Sequence, residues 1–319
     1  MQHSIRSRCA IAVSLALCAP SAALACSSCG CTLASDWLIQ GVDHKGVTAD
    51  FRYDYFVQDQ LRTGTGTFDR GSVTYPTDQE IQQETVNHNY NLFLDYAPGG
   101  DWGVSAQIPY FDRYHTTIAE GDTDVSTSHT KSIGDVRILG RYRGFTDDKS
   151  TGLQFGLKLA TGSIHNNFLS GPQEGDPLDR GLQPGTGSTD LLLGLYNFGA
   201  VNRDWDYFAE AILQQPLSSK EDFKPGTGFN VSLGARYMSF ETVRPQIQVN
   251  ARVEGRESGA NADIPNSGAT LVYLSPGVNV KIAPGAAAYA YVQLPIYQRV
   301  NGLQLEPRYS VSIGFRFSI

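Results

Sequence analysis

The sequence predicts an all-β protein: a single antiparallel transmembrane β-barrel of about 12 strands, with a short cysteine-rich segment ahead of it. Three observations predict it. Apolar and polar residues alternate with period two in one segment after another, as side chains of a strand do. The connections between segments alternate between tight and long. One face of the segments carries Val, Leu, Ile, Tyr and Phe, while the other carries a row of charges.

The elements follow in chain order. Residues 1–25 read as a secretory signal peptide: Arg6 and Arg8 open it, an apolar run spans Cys9 to Pro20, and Ala23-Leu24-Ala25 is a cleavage pattern. Residues 26–45 form a cysteine-rich periplasmic tail or plug. Cys26, Cys29 and Cys31 are spaced C-x-x-C-x-C. Thiolates so placed suit a soft metal, Cu or Zn, or one disulfide with a third thiol left for a periplasmic thiol or metal partner. Cys26 directly follows the cut, which is also the place of a lipidated cysteine, although Leu24 stands one position late for that signal. The run Leu33 to Gly41 begins Ser-Asp and reads as a short helix. No other cofactor is expected.

The barrel occupies 46–319. Its strands are predicted at 46–59, 84–97, 102–115, 131–145, 151–163, 188–199, 204–217, 226–240, 243–257, 268–282, 286–300 and 305–319. The final run shows the pattern: Tyr309, Val311, Ile313, Phe315, Phe317 and Ile319 share one face, against Arg308, Ser310, Ser312, Gly314, Arg316 and Ser318. Tight connections at Pro98-Gly99-Gly100, Thr146 to Ser150, Val201 to Asp204, Glu241-Thr242 and Pro284-Gly285 alternate with long polar ones at 60–83, 116–130, 164–187 and 258–267. Outer-membrane barrels have this asymmetry, and a soluble two-sheet sandwich has no cause for it.

Charge and hydropathy set limits on function. Lys and Arg number 25 against 32 Asp and Glu, a net −7, and loss of Arg6 and Arg8 makes it −9. That balance argues against a nucleic-acid partner. No stretch after the signal is long and apolar enough for a membrane helix, which leaves a barrel open. The polar rows predict a lumen lined by Asp50, Arg52, Asp54, Asp95, Arg137, Arg141, Lys158, Glu210, Arg236, Arg244, Arg252, Arg308 and Arg316. Cations outnumber anions in these rows, which favours anionic or polar solutes. Salt-bridged charges that fill the bore are the competing expectation.

The predicted function is a channel for small organic or anionic solutes. It sits in the outer membrane of a Gram-negative bacterium, with both ends of the barrel strands, the first and the last, periplasmic. Its partners are outer-membrane lipid, the barrel-assembly machinery and a small solute. A second reading is a non-conducting barrel that anchors the cysteine segment. A lipid-modifying enzyme is a third, but it needs a nucleophile, a base and an orienting group together. His88 lies on an outward row, and His115, His129 and His165 lie in or near the long connections.

Three glycine-bearing stretches, Ser132 to Phe145, Gly152 to Ser163 and Leu182 to Phe198, resemble the outer-membrane β-barrel family named after the meta-pathway of phenol degradation. Gln107 to Phe111 and Gln293 to Gln298 fit its strand style. The resemblance implies an outer-membrane location and uptake of small, often hydrophobic, compounds. It supplies no catalytic residues and does not account for the cysteines. The stretch at Gly185 also starts like a phosphate-binding loop, but no Gly-Lys-Ser/Thr and no helix follow.

Overall fold

The structure, a computed structural model, describes residues 45–319. The expected signal peptide, the three cysteines and the short helix at 33–41 lie outside the described residues.

Thirteen strands form one antiparallel sheet: β1 (Gly46–Gly64), β2 (Gly66–Thr67), β3 (Ile81–Ala97), β4 (Trp102–Ile118), β5 (Ser126–Ile133), β6 (Arg137–Tyr142), β7 (Thr151–Lys158), β8 (Asp190–Ala200), β9 (Trp205–Pro216), β10 (Gly228–Tyr237), β11 (Val243–Glu254), β12 (Ala269–Ala283) and β13 (Ala286–Ser318). Eleven of them close a ring, and β2 and β5 stand outside it. Closure comes from β1 on β13, with Thr48 opposite Ser318 and Tyr53 opposite Ile313. In hydrocarbon each unpaired backbone group costs several kcal/mol (on the order of 5), so a ring without edges is the stable form of such a sheet.

β13 resolves the strand count. At about 3.3 Å per residue, its 33 residues would reach roughly 110 Å, far beyond an apolar band ~25 Å tall. The run therefore turns back at Gly302, whose φ is +50°. Residues up to Val300 pair with β12, residues from Gln304 onward pair with β1, and the Ser318 amide donates to the Gly285 carbonyl. Eleven elements thus make the twelve crossings expected from the alternation.

The outer face inverts the rule for soluble proteins. Phe51, Leu195, Ile313 and Phe315 are 49%, 60%, 52% and 56% exposed, while Asp50, Asp54 and Ser312 on the inner face are wholly buried. A contiguous apolar belt of this kind needs an apolar medium. Aromatics gather at the tight-turn end: Trp102 with Tyr142 and Phe155, Tyr142 with Phe145, Trp205 with Tyr237, and Tyr237 with Phe240. His88 belongs to the same outer surface; it stacks on Tyr53, and its Nδ1 lies 2.7 Å from the Tyr53 hydroxyl.

Two departures from the predicted strands shape the interior. The strand predicted at 131–145 is broken at Gly134–Val136, so β4 pairs with β5 along one half and with β6 along the other. The strand predicted to run to 163 ends at Lys158, and the connection 159–189 turns into the barrel. There the Arg113 guanidinium donates to the Leu182 carbonyl at 2.9 Å. Among the described residues β5 has β4 as its one strand partner; its other edge takes the isolated bridge from Thr127 to Ser170.

Candidate solute pathway

Alternation sends the charged rows inward, and neighbouring strands then decide who pairs with whom. Toward the tight-turn end, the Arg141 guanidinium grips Asp95 through both oxygens. Arg141 is on β6 and Asp95 on β3, so the side chain must cross β4. It does so over Gly103, where any Cβ would collide with the guanidinium. Arg316 pairs with Asp50 at 3.1 Å, and the Tyr289 hydroxyl donates to the same carboxylate at 2.6 Å. Arg236 pairs with Asp206, and the Gln154 amide donates to Glu210 at 2.9 Å. Nearer the middle, Arg52 bonds Asp54 at 3.0 Å, and Asn91 and Ser312 donate to that same carboxylate. Arg252 bonds Glu254 two residues along its own strand. These partners sit on the same strand or on strands close by, so the pairs lie along the wall. Buried charges need such partners, because an uncompensated one costs several kcal/mol (on the order of 3–5).

Arg244 lies half-buried on the inner face of β11. Arg308 departs from its predicted row. The register of β13 on β1 shifts between Ser310 and Pro307 and again between Pro307 and Glu306; at the first shift Arg308 turns outward, while Glu306, of the same parity, stays buried. Glu306 is 1% exposed, while Arg308 stands in the open beside Asp59 at 3.2 Å. A bulge adds a residue to one strand and so changes which way the side chain at that point faces.

The inner face also holds aromatics. Tyr289 covers Gly314, Tyr196 covers Gly152 and Phe208 covers Gly234, each where a Cβ would meet the ring. A glycine in a polar row, facing an aromatic on the next strand, is the sequence signal for this arrangement.

The three glycine stretches converge on one point. Asp135, in the break between β5 and β6, accepts from the Gly162 amide at 3.0 Å and from the Thr186 amide and hydroxyl at 2.9 and 2.8 Å. Lys158 pairs with Asp135 at 3.1 Å and with Asp190 at 2.9 Å, all three side chains almost fully buried. Gly162 and Gly185 meet backbone to backbone: a Cβ on Gly162 would lie 2.5 Å from the Gly185 Cα. This knot anchors the inward connection 159–189 against the wall. Asp190 and Arg113 belong to the pathway although the predicted rows omit them.

Beside the knot is a chamber of about 130 Å³ in the bore. Strands β1, β3, β4, β6, β7, β9 and β11 line it together with the connections 159–189 and 217–227. Its cations are Arg52, Arg137, Lys158, Arg180 and Arg252; its anions are Asp135, Glu254 and Glu257. Four of the cations have carboxylate partners, Arg180 through Glu221. Arg137 has none among the described residues; its one bond is a long one, 3.4 Å, to the Gln214 amide oxygen. Pro109, Phe111, Pro184, Phe223 and Pro225 give the chamber an apolar share.

The loop histidines do not meet. The His115 Nδ1 lies 2.8 Å from the Thr85 hydroxyl inside the barrel, His129 contacts Asp112 on the outer surface, and His165 contacts Glu221. That bond from His165 comes first among the causes that hold the Glu221 carboxyl below its usual range.

No family model and no curated protein matches the chain, so the narrower family resemblance of the glycine stretches finds no support from those comparisons. Solved structures do match. The COG4313 outer membrane channel from Pseudomonas putida F1 aligns with a TM-score of 0.62 at 11% identity, over 86% of this chain and 96% of that one. The CymD monoaromatic hydrocarbon channel aligns at 0.45 and 10% identity, over 93% and 98%. The Ralstonia pickettii toluene transporter TbuX aligns at 0.45 and 9% identity, over 88% and 91%. In fold, this chain is similar to an outer-membrane β-barrel channel.

Proposed function

We propose that the protein is a narrow outer-membrane channel for small organic anions. The observation that carries this reading is the chamber, where four cations are paired with carboxylates and the Arg137 guanidinium has none among the described residues. Ion pairs along the wall leave the bore to the solute, and a guanidinium not committed to a carboxylate in a low-dielectric constriction attracts anions. The tight-turn end, where β1 starts and β13 ends, faces the periplasm of a Gram-negative bacterium in this reading. The cysteine segment then enters the periplasm, available to a soft metal or a thiol partner. A planar-bilayer measurement across a potassium chloride gradient tests the channel. Reversal toward the chloride potential supports it; cation preference or absence of conductance refutes it.

A second reading concerns apolar solutes, which would leave sideways through the wall. The edge of β5, held by the single bridge Thr127–Ser170, favours it. The Thr127 and Ser170 hydroxyls are 2.6 Å apart, so cysteines at both positions would cross-link. Loss of apolar uptake with chloride conductance retained would support this route, and unchanged uptake would refute it.

A further inference from the structure

We infer that the chamber is a binding site for single-ring aromatic carboxylates, with Arg137 as the carboxylate ligand and Phe111 and Phe223 as the apolar walls. The inference deepens the anion-channel reading by naming the class of anion. Size comes first. The chamber measures about 130 Å³, close to the ~150 Å³ cavity known to take one benzene ring. One ring fills most of such a space, and a two-carbon acid leaves most of it unfilled.

Chemistry comes second. Phe223 is 1% exposed and lies under the Arg180 guanidinium at 4.9 Å. Phe111 is pressed against Gly134, where a Cβ would overlap its ring. Both rings are held in place, and Pro109 and Pro184 add two further rigid apolar surfaces. Flat apolar walls of fixed shape suit a flat apolar body.

Charge comes third. Lys158 is committed to Asp135 and Asp190, so it cannot turn to a solute without stripping two buried carboxylates. Arg137 has no such commitment. It sits on β6 opposite Gln107 on one side and Lys158 on the other, and its bond to Gln214 is long enough to give way. A guanidinium presents two parallel N–H donors to a carboxylate, a geometry that an ammonium lacks.

The test uses the full chain purified in detergent, with sodium benzoate as the probe followed by calorimetry. Benzamide, which has the ring without the charge, and acetate, which has the charge without the ring, serve as comparisons. Benzoate is expected to bind at least about tenfold more tightly than either, since a charge-assisted bond and ring burial each contribute a factor of that size. Arg137→Gln is expected to weaken benzoate about tenfold or more and leave benzamide unchanged. Arg137→Lys is expected to fall between the two proteins. Because Arg137 is not the partner of a buried carboxylate, these variants keep the wall intact. Equal affinity for benzoate and acetate, or benzoate binding insensitive to Arg137→Gln, overturns the inference. Chloride selectivity of the same preparation in a bilayer reports separately on the channel: selective conductance with no benzoate binding sinks the site alone, and benzoate binding without anion conductance sinks the channel alone.

Discussion

Glu80 is the most informative residue to perturb outside the strands. It precedes β3, takes a hydrogen bond from the Thr117 hydroxyl at 2.6 Å, and shares another with Asp179 on the inward connection. Burial beneath the connections, and next the Asp179 charge, push its pKa up to about 8; Asp263 acts in the same direction. Asp179 is raised as well, first by burial and then by Asp263. A carboxyl raised on folding gives stability that is full below its unfolded pKa and is lost as pH rises through the folded value. For Glu80 the loss therefore runs from about pH 4.5 to about pH 8. Taken whole, a shift of that span is worth roughly 5 kcal/mol. Glu80 is only half-buried, so screening reduces the observable part to ~2 kcal/mol. Glu80→Gln keeps an oxygen for Thr117 and an amide donor for Asp179, and removes the ionisation. About a quarter of that loss falls between pH 7 and pH 9, so thermal denaturation in detergent, followed by heat-modifiable gel migration, should show the midpoint of the parent protein falling about 1 °C across that interval. Histidines have largely titrated below that window. The variant should show a flat profile. Parallel slopes for the two proteins would refute the shared-proton reasoning.

The remaining predictions concern the knot and the outer surface. Lys158→Met leaves Asp135 and Asp190 buried without their cation and should cost about 3–5 kcal/mol, read as a lower denaturation midpoint; a midpoint within a degree of the parent would contradict the pairing. Gly162→Ala places a Cβ against the Gly185 backbone. It should free the connection 159–189 and raise single-channel conductance, and unchanged conductance would show that this connection does not set the bore. Arg308→Ala breaks an exposed pair with Asp59 and should change stability by less than ~0.5 kcal/mol. A larger loss, or an altered ion selectivity, would place Arg308 inside after all.

The architecture was legible in the sequence because its causes are local. A strand shows alternate residues to lipid and to the bore, so Phe51, Tyr53 and Ile313 could be set outside and Asp50, Arg52 and Asp54 inside by counting alone. The alternation of tight and long connections gave direction to the strands, and the closing of β1 on β13 follows from the cost of an open edge in lipid. What counting could not supply depends on register and on neighbours far apart in the chain. A shift of register turns Arg308 out while Glu306, of the same parity, stays in. Arg141 reaches Asp95 only because Gly103 lies between them, and Asp135 gathers Gly162 and Thr186 only because a strand breaks at Gly134. Whether a lumen cation is spent on the wall or left for a solute is therefore a property of the closed barrel. Lys158 and Arg137 stand opposite each other in the same register, and the tertiary structure alone gives one of them two carboxylates and the other none among the described residues.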